Sequence, residues 1–138
     1  MKSHRIVGAR AGECDSLPYV VATARILMAL VFVISGLSKV MSLHVTIDDM
    51  EALHVPGLLL WPIIVFELCA GLFVMIGFHG RIVALLLVAY CLLTALLFHL
   101  HIGEPLQAIM FLKNVSMAGG FLLLACAGPG EFSIDARF

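Results

Sequence analysis

Charge is what this chain has least of. Asp, Glu, Lys and Arg make up 12% of its 138 residues, about half the share of an ordinary soluble domain. With 62% hydrophobic residues and a mean hydropathy of +1.12, a fold of this length cannot hide its apolar surface from water. That excludes a soluble globular domain and implies an integral membrane protein. Positive charge is not in excess either. Eight Lys and Arg stand against nine Asp and Glu, so nothing marks a nucleic-acid partner. Paired cysteines are missing: Cys14, Cys69, Cys91 and Cys126 form no CxxC. This removes a zinc ribbon, a disulfide framework and any quinone-coupled chemistry that needs two thiols. The three in apolar runs read as small hydrophobes. No haem, flavin or metal motif is present. His99 and His101 are two residues apart and so do not share a helix face. With His44 and His54 they read as solvated rim residues. Residues 1–17 are too polar for a secretion signal, and the first apolar run is longer than the ~7–15 residues of a signal core. It is expected to stay in the mature protein.

What is present is a set of long apolar runs. A spanning helix needs about 20 apolar residues, and four segments qualify: 18–41, 57–78, 81–101 and 106–127. Helices are the open choice in lipid, where backbone groups must be satisfied within the segment. The links between the second and third and between the third and fourth are short, which makes neighbours antiparallel. The expected fold is all-α, four transmembrane helices in an up-down bundle forming one domain over 18–127. Residues 1–17 and 128–138 form tails. The longer link, VTIDDMEALHVP (45–56), is expected to be a short interfacial helix. Thr46 is its expected N-cap, Asp48 and Asp49 its first turn, and Ile47, Met50 and Leu53 its apolar face. Lys2, Arg5, Arg10, Arg81 and Arg137 lie on one side of this topology, and Asp48, Asp49, Glu51 and Glu104 mainly on the other. The positive-inside rule then puts both termini in the cytoplasm.

Arg25, Lys39, Glu67, His99, Lys113 and Asn114 lie within or at the ends of the spans. One Arg, Lys or Asp at a helix centre costs roughly 2.5–3.5 kcal/mol on insertion scales, so such groups should face the bundle and pair. In the first span Arg25, Ala29, Phe32, Gly36 and Lys39 follow the helical period and share one stripe. Glu67 shares a face with Gly71 in the second. Arg81, Ala84, Val88, Ala95 and His99 share one in the third, and Lys113, Ser116 and Gly120 in the fourth. Small residues beside polar ones fit close helix approach, which gives Gly36, Gly71, Gly119 and Gly120 a structural role. Glu67, near mid-membrane at ~1.5 Å per residue, is the expected counter-ion of Arg25, of Lys113 or of both. Three cations facing one carboxylate would leave a positive seam, suited to a quinone head group, an anion or a lipid phosphate. Lys113 would hold an oxygen of the guest and Asn114 would direct it. Against this stands a plainer reading, in which Arg25 and Lys39 snorkel as anchors and Glu67 is a structural pin.

The ordered set of motifs resembles the DoxX family of small bacterial membrane proteins. It runs ARILMALVFVISGLSKV (24–40), VFELCAGLFVMIGFHGRIVALLL (65–87), LLFH (96–99), FLKNVSMAGGFLLL (111–124) and GPGEFSID (128–135). The family pattern falls on Arg25, Gly36, Lys39, Glu67, Gly71, Gly77, Arg81, His99, Lys113, Asn114, Gly119, Gly120, Gly128 and Asp135. The resemblance implies a four-helix protein of the bacterial inner membrane tied to redox metabolism. Its named relatives look like quinone-reducing subunits or membrane partners of sulfur and oxidative-stress enzymes. On that reading Arg25, Lys39, Lys113 and Asn114 bind a ligand such as a quinone. Glu67 and His99 are the candidate catalytic proton carriers, and electrons come from a soluble redox partner. A homo-oligomer is compatible with it. A small proton-coupled transporter of an anion or weak acid, and a scaffold without activity, stay open.

Overall fold

The computed structural model describes residues 17–138; the polar tail expected over 1–17 lies almost wholly outside them. Five α-helices follow in order: α1 (Leu17–Met41), α2 (Leu43–Ala52), α3 (Leu60–Ile76), α4 (Gly80–Phe98) and α5 (Pro105–Ala127). A 3-10 turn, Gly57–Leu59, leads into α3, and a second, Asp135–Arg137, ends the chain. No strand occurs among the described residues. Leu17–Met41, Gly57–Ile76, Gly80–Phe98 and Pro105–Ala127 are long and apolar enough to cross a membrane. At ~1.5 Å per residue they measure about 28–37 Å, the thickness of a hydrocarbon core. The protein is therefore an all-helical four-span membrane protein with a short helix between the first two spans.

Each span stops for a local reason. Gly77 ends α3 with φ +71°, a left-handed conformation that costs glycine little. The third span was expected to reach His101, but α4 stops at Phe98 because His99 leaves helical geometry at φ −126°, ψ 25°. Pro105 opens α5 at its first position, where its missing N–H is no loss.

The interfacial helix departs from expectation. It begins at Leu43, one residue after α1, and ends at Ala52. Only Ser42 separates the two helices: its φ −123°, ψ 44° leave helical geometry, but its N–H still bonds the Ser38 carbonyl at 3.0 Å. Thr46 is consequently inside the helix and donates its hydroxyl to the Ser42 carbonyl at 2.9 Å instead of capping. Asp48 and Asp49 fall beyond the first turn. Met50 is the residue α2 buries, against Leu60 and Ile64 of α3. Leu53 lies just past the helix and is exposed.

The bundle is two tight pairs. α1 packs along α3, and α4 along α5, while contact between the pairs is sparse. At the α1–α3 crossing a Cβ on Gly36 would sit 2.8 Å from Leu68, and one on Gly71 would sit 2.9 Å from Val33 and 3.3 Å from the Ala29 carbonyl. These two glycines let the backbones close. Gly119 does not have that role: among the described residues, nothing beyond its own stretch of helix lies within 4 Å of the Cβ position there. The buried stripe of α5 is Ala118, Phe121 and Leu124, not the expected Lys113, Ser116 and Gly120, because Phe121 is the large side chain that fills the centre. Gly120 meets only the flexible end of Met28. Outward faces carry Leu27, Ile34, Val65, Leu85 and Leu123, all largely exposed, as lipid contact requires.

The segment expected as a C-terminal tail folds back onto the bundle. The Ile134 and Asp135 N–H groups bond the Ile76 and Gly77 carbonyls, both at 3.1 Å. The Asp135 carboxylate accepts the His79 and Gly80 N–H groups, each at 2.7 Å. It thereby satisfies orphan donors at the start of α4 and complements the helix dipole.

Candidate functional site

Arg25, expected beside Glu67, belongs to this returning segment. It is buried, and its guanidinium donates to the Pro129 carbonyl through Nη1 and to the Phe132 carbonyl through Nη2 at 2.6 Å. Its Nε has no hydrogen-bond partner among the described residues. The hydrogen-bond acceptors are backbone carbonyls of a turn rich in Gly and Pro, and the Asp135 carboxylate lies near enough to offset the guanidinium charge. Arg25 therefore closes one end of the bundle and lies outside the cavity described next.

The cluster at Glu67 is built on Lys39. Lys39 Nζ lies 2.9 and 2.8 Å from the two Glu67 oxygens and 2.6 Å from Ser35 Oγ. The sequence suggests a ligand contact or an anchor at Lys39; the structure makes it the counter-ion. One helical turn separates Ser35 from Lys39 on α1, and the glycine-lined crossing brings α3 close enough for a short ion pair. Glu67 is 3% exposed, a depth at which a carboxylate needs both a cation and hydrogen bonds. Tyr90 of α4 supplies another, its hydroxyl donating to Glu67 Oε1 at 2.5 Å. The Ser35 hydroxyl adds a longer contact at 3.4 Å.

This cluster forms one wall of a cavity of about 270 Å³ between the two helix pairs. Phe32 lies beneath it, edge-on to Phe121 at 5.5 Å and to Tyr90 at 6.1 Å. α2 contributes Thr46, Asp49 and Met50. Lys113, Asn114 and Met117 of α5 form the facing wall. Lys113 is exposed and has no hydrogen-bond partner among the described residues. Asn114 donates one amide hydrogen to the Met110 carbonyl at 3.1 Å. His99 lines the cavity near Thr94 and Phe98, with Nδ1 2.7 Å from Gln107 Oε1.

Glu67, Lys39, Lys113, Asn114 and His99 thus share one cavity, and Arg25 does not. The lining holds two cations, Lys39 and Lys113, and two carboxylates, Glu67 and Asp49. The expected surplus of positive charge is absent, because Arg25 is elsewhere and α2 brings in Asp49. No group of three or more His, Cys, Asp or Glu side chains suited to a metal occurs among the described residues.

Tyr90, Ser35 and Asp49 escaped the sequence reading. Tyr90 had a usable signal. Glu67 lies nine residues before the end of α3, and Tyr90 ten residues after the start of α4. Two residues equidistant from a tight turn between antiparallel helices lie at one depth, and a phenol at that depth needs a partner. Ser35 could have been found one turn before Lys39. Asp49 had no such signal, since only packing decides how α2 lies.

Comparison with known proteins agrees with this architecture. The DoxX family model matches residues 20–100. The chain is 44% identical over 115 residues to inner membrane protein YqjF of Escherichia coli (strain K12), covering 83% of this chain and 88% of that protein. It is 39% identical over 127 residues to inner membrane protein YphA of the same organism, covering 87% and 91%. No solved structure matches it significantly. With a family model covering more than half the chain and two relatives aligned over most of their length, this four-span bundle with a Lys–Glu–Tyr cluster at its centre is a multi-pass inner-membrane protein and belongs to the DoxX family.

Proposed function

We propose that the cavity binds the head group of a membrane quinone and that the protein is the quinone-binding, membrane-embedded subunit of an oxidoreductase system. The observation that carries this reading is a small, mainly apolar and partly open cavity between lipid-facing helices, with the polar groups of Glu67, Lys39 and Tyr90 on one wall and Lys113 on the other. Ligand pockets commonly run to ~300–1,000 Å³, so about 270 Å³ suits one substituted ring and not a fused nucleotide cofactor. Phe32 and Tyr90 offer aromatic surface to such a ring. Val31 on α1 is 39% exposed and Lys113 on α5 is exposed, and both line the cavity. Contact between these helices is sparse, so an isoprenoid chain has an exit into the bilayer there.

Lys113 holds the oxygen of the head group that reaches it, and the Asn114 amide orients the same end. Glu67 and His99 are the proton carriers: Glu67 at the buried wall, His99 near the cavity's α2 end. A bound quinone would supply the two-electron chemistry, with electrons from a soluble redox partner. Transport is less well supported. The opposite end of the bundle is closed by Arg25 and the returning C-terminal segment, and the core between is filled by Phe32, Phe121 and Val74. Both termini face the cytoplasm on this reading.

The test is direct extraction. Wild-type protein purified in mild detergent from quinone-containing membranes should carry close to one quinone per chain, and Lys113→Met should carry several-fold less. Equal, substoichiometric quinone in both would remove the reading.

A further inference from the structure

Resting on the quinone reading, we infer that this cavity selects the reduced, hydroxyl-bearing form of its guest, a quinol, over the oxidised quinone, because the Glu67 wall presents acceptors and the Lys113 wall presents donors. The argument is an inventory of hydrogens. An ammonium has three donors and a tyrosine hydroxyl one. All three of Lys39 have acceptors in Ser35 Oγ and the two Glu67 oxygens. The single hydrogen of Tyr90 is on Glu67 Oε1. The Thr94 hydroxyl is directed at the Tyr90 and Cys91 carbonyls, at 2.9 and 3.0 Å. The Ser35 hydroxyl already faces Glu67 at 3.4 Å. This wall contains a lysine, a tyrosine and two hydroxyl residues, yet every one of their hydrogens already has an acceptor.

Acceptor capacity does remain. A carboxylate offers about four lone-pair sites. Oε1 takes Lys39, Tyr90 and the weak Ser35 contact, whereas Oε2 takes Lys39 alone. The facing wall is the opposite case. Lys113 has three hydrogens without a described partner, and Asn114 has one amide hydrogen outside its helix bond. A ring with a hydroxyl toward Glu67 and an oxygen toward Lys113 meets both walls. A quinone meets only the second, and its other carbonyl sets lone pairs against a carboxylate.

Tighter binding of the reduced form makes the bound pair a stronger electron acceptor, by about 30 mV for each tenfold preference in a two-electron couple. That sense suits a subunit delivering electrons to quinone.

The experiment uses the full chain in lipid nanodiscs, titrated by calorimetry with a short-chain benzoquinone and, under anaerobic conditions, with the same compound reduced. The quinol should bind at least tenfold tighter. Glu67→Gln, whose amide adds a donor to the wall, should bring the ratio to near one. The double variant Lys39→Met/Glu67→Gln, which leaves no buried charge unpaired, should do the same if the single variant does not fold. Lys113→Met should weaken both forms alike. Equal or tighter binding of the quinone to wild type overturns the preference and leaves the quinone reading standing. So does an unchanged ratio in the folded variants. Binding of neither form overturns both.

Discussion

Lys39 on α1 and Glu67 on α3 form a two-point ion pair, with Nζ 2.9 and 2.8 Å from the carboxylate oxygens, in a place where Glu67 is 3% exposed. Two membrane charges that would each be costly alone are held in one contact. Removing one partner should cost about 3 kcal/mol, the penalty for a buried charge left unpaired. Lys39→Met should therefore lower the unfolding temperature in detergent more than the double variant Lys39→Met/Glu67→Gln does. A double variant as unstable as the two single losses added together would show that the pair does not act as a unit.

Tyr90→Phe removes the hydrogen bond to Glu67 and nothing else in volume. A bond to a charged group is worth roughly 1.5–3 kcal/mol, so stability should fall by about that amount while insertion into the membrane is unaffected. Thermal unfolding and membrane fractionation read the two quantities separately.

The glycines divide into two classes. Gly71→Leu places a side chain against Val33 and the Ala29 backbone and should cost about 1–3 kcal/mol by overpacking. Gly119→Ala, where the added Cβ meets nothing, should leave stability unchanged or raise it by roughly 0.5–1 kcal/mol through helix propensity. Unfolding midpoints that fail to separate the two variants would contradict the α1–α3 crossing.

Truncation after Ala127 removes the acceptors of Arg25 and the carboxylate on the start of α4. The truncated chain should be markedly less stable, with Asp135→Ala alone costing about 1 kcal/mol, the usual size of a lost N-terminal cap. Protease resistance of the α3–α4 turn checks both.

The positive-inside distribution predicts a cytoplasmic C-terminus. A fluorescent reporter that folds only in the cytoplasm should be bright when fused after Phe138. A periplasmic phosphatase fused there should be inactive. The reverse pattern would invert the bundle.

The hairpins explain why part of the site could be read from the chain. Glu67 and Tyr90 flank one tight turn. Tyr90 lies eight residues before the end of α4, and Lys113 eight residues after the start of α5. Counting along antiparallel helices therefore puts all three at one depth. Lys39 could not be placed that way, since α1 and α3 are joined through α2 and the register between them is set by packing at Gly36 and Gly71. Arg25 was harder still, because its acceptors are backbone carbonyls of the C-terminal segment more than 100 residues away. A carbonyl acceptor leaves no mark in the identity of a residue.

Hydropathy and length alone settled that the chain crosses a bilayer in four helices, because lipid allows a backbone so few ways to satisfy its own hydrogen bonds. The same reasoning singled out the few polar residues, since each is expensive there. Which cation meets which anion was decided only when the helices packed. Each span can turn a charged side chain through a wide arc, and a helix crossing narrow enough for glycine selected Lys39 for Glu67 and left Arg25 to the returning C-terminal segment.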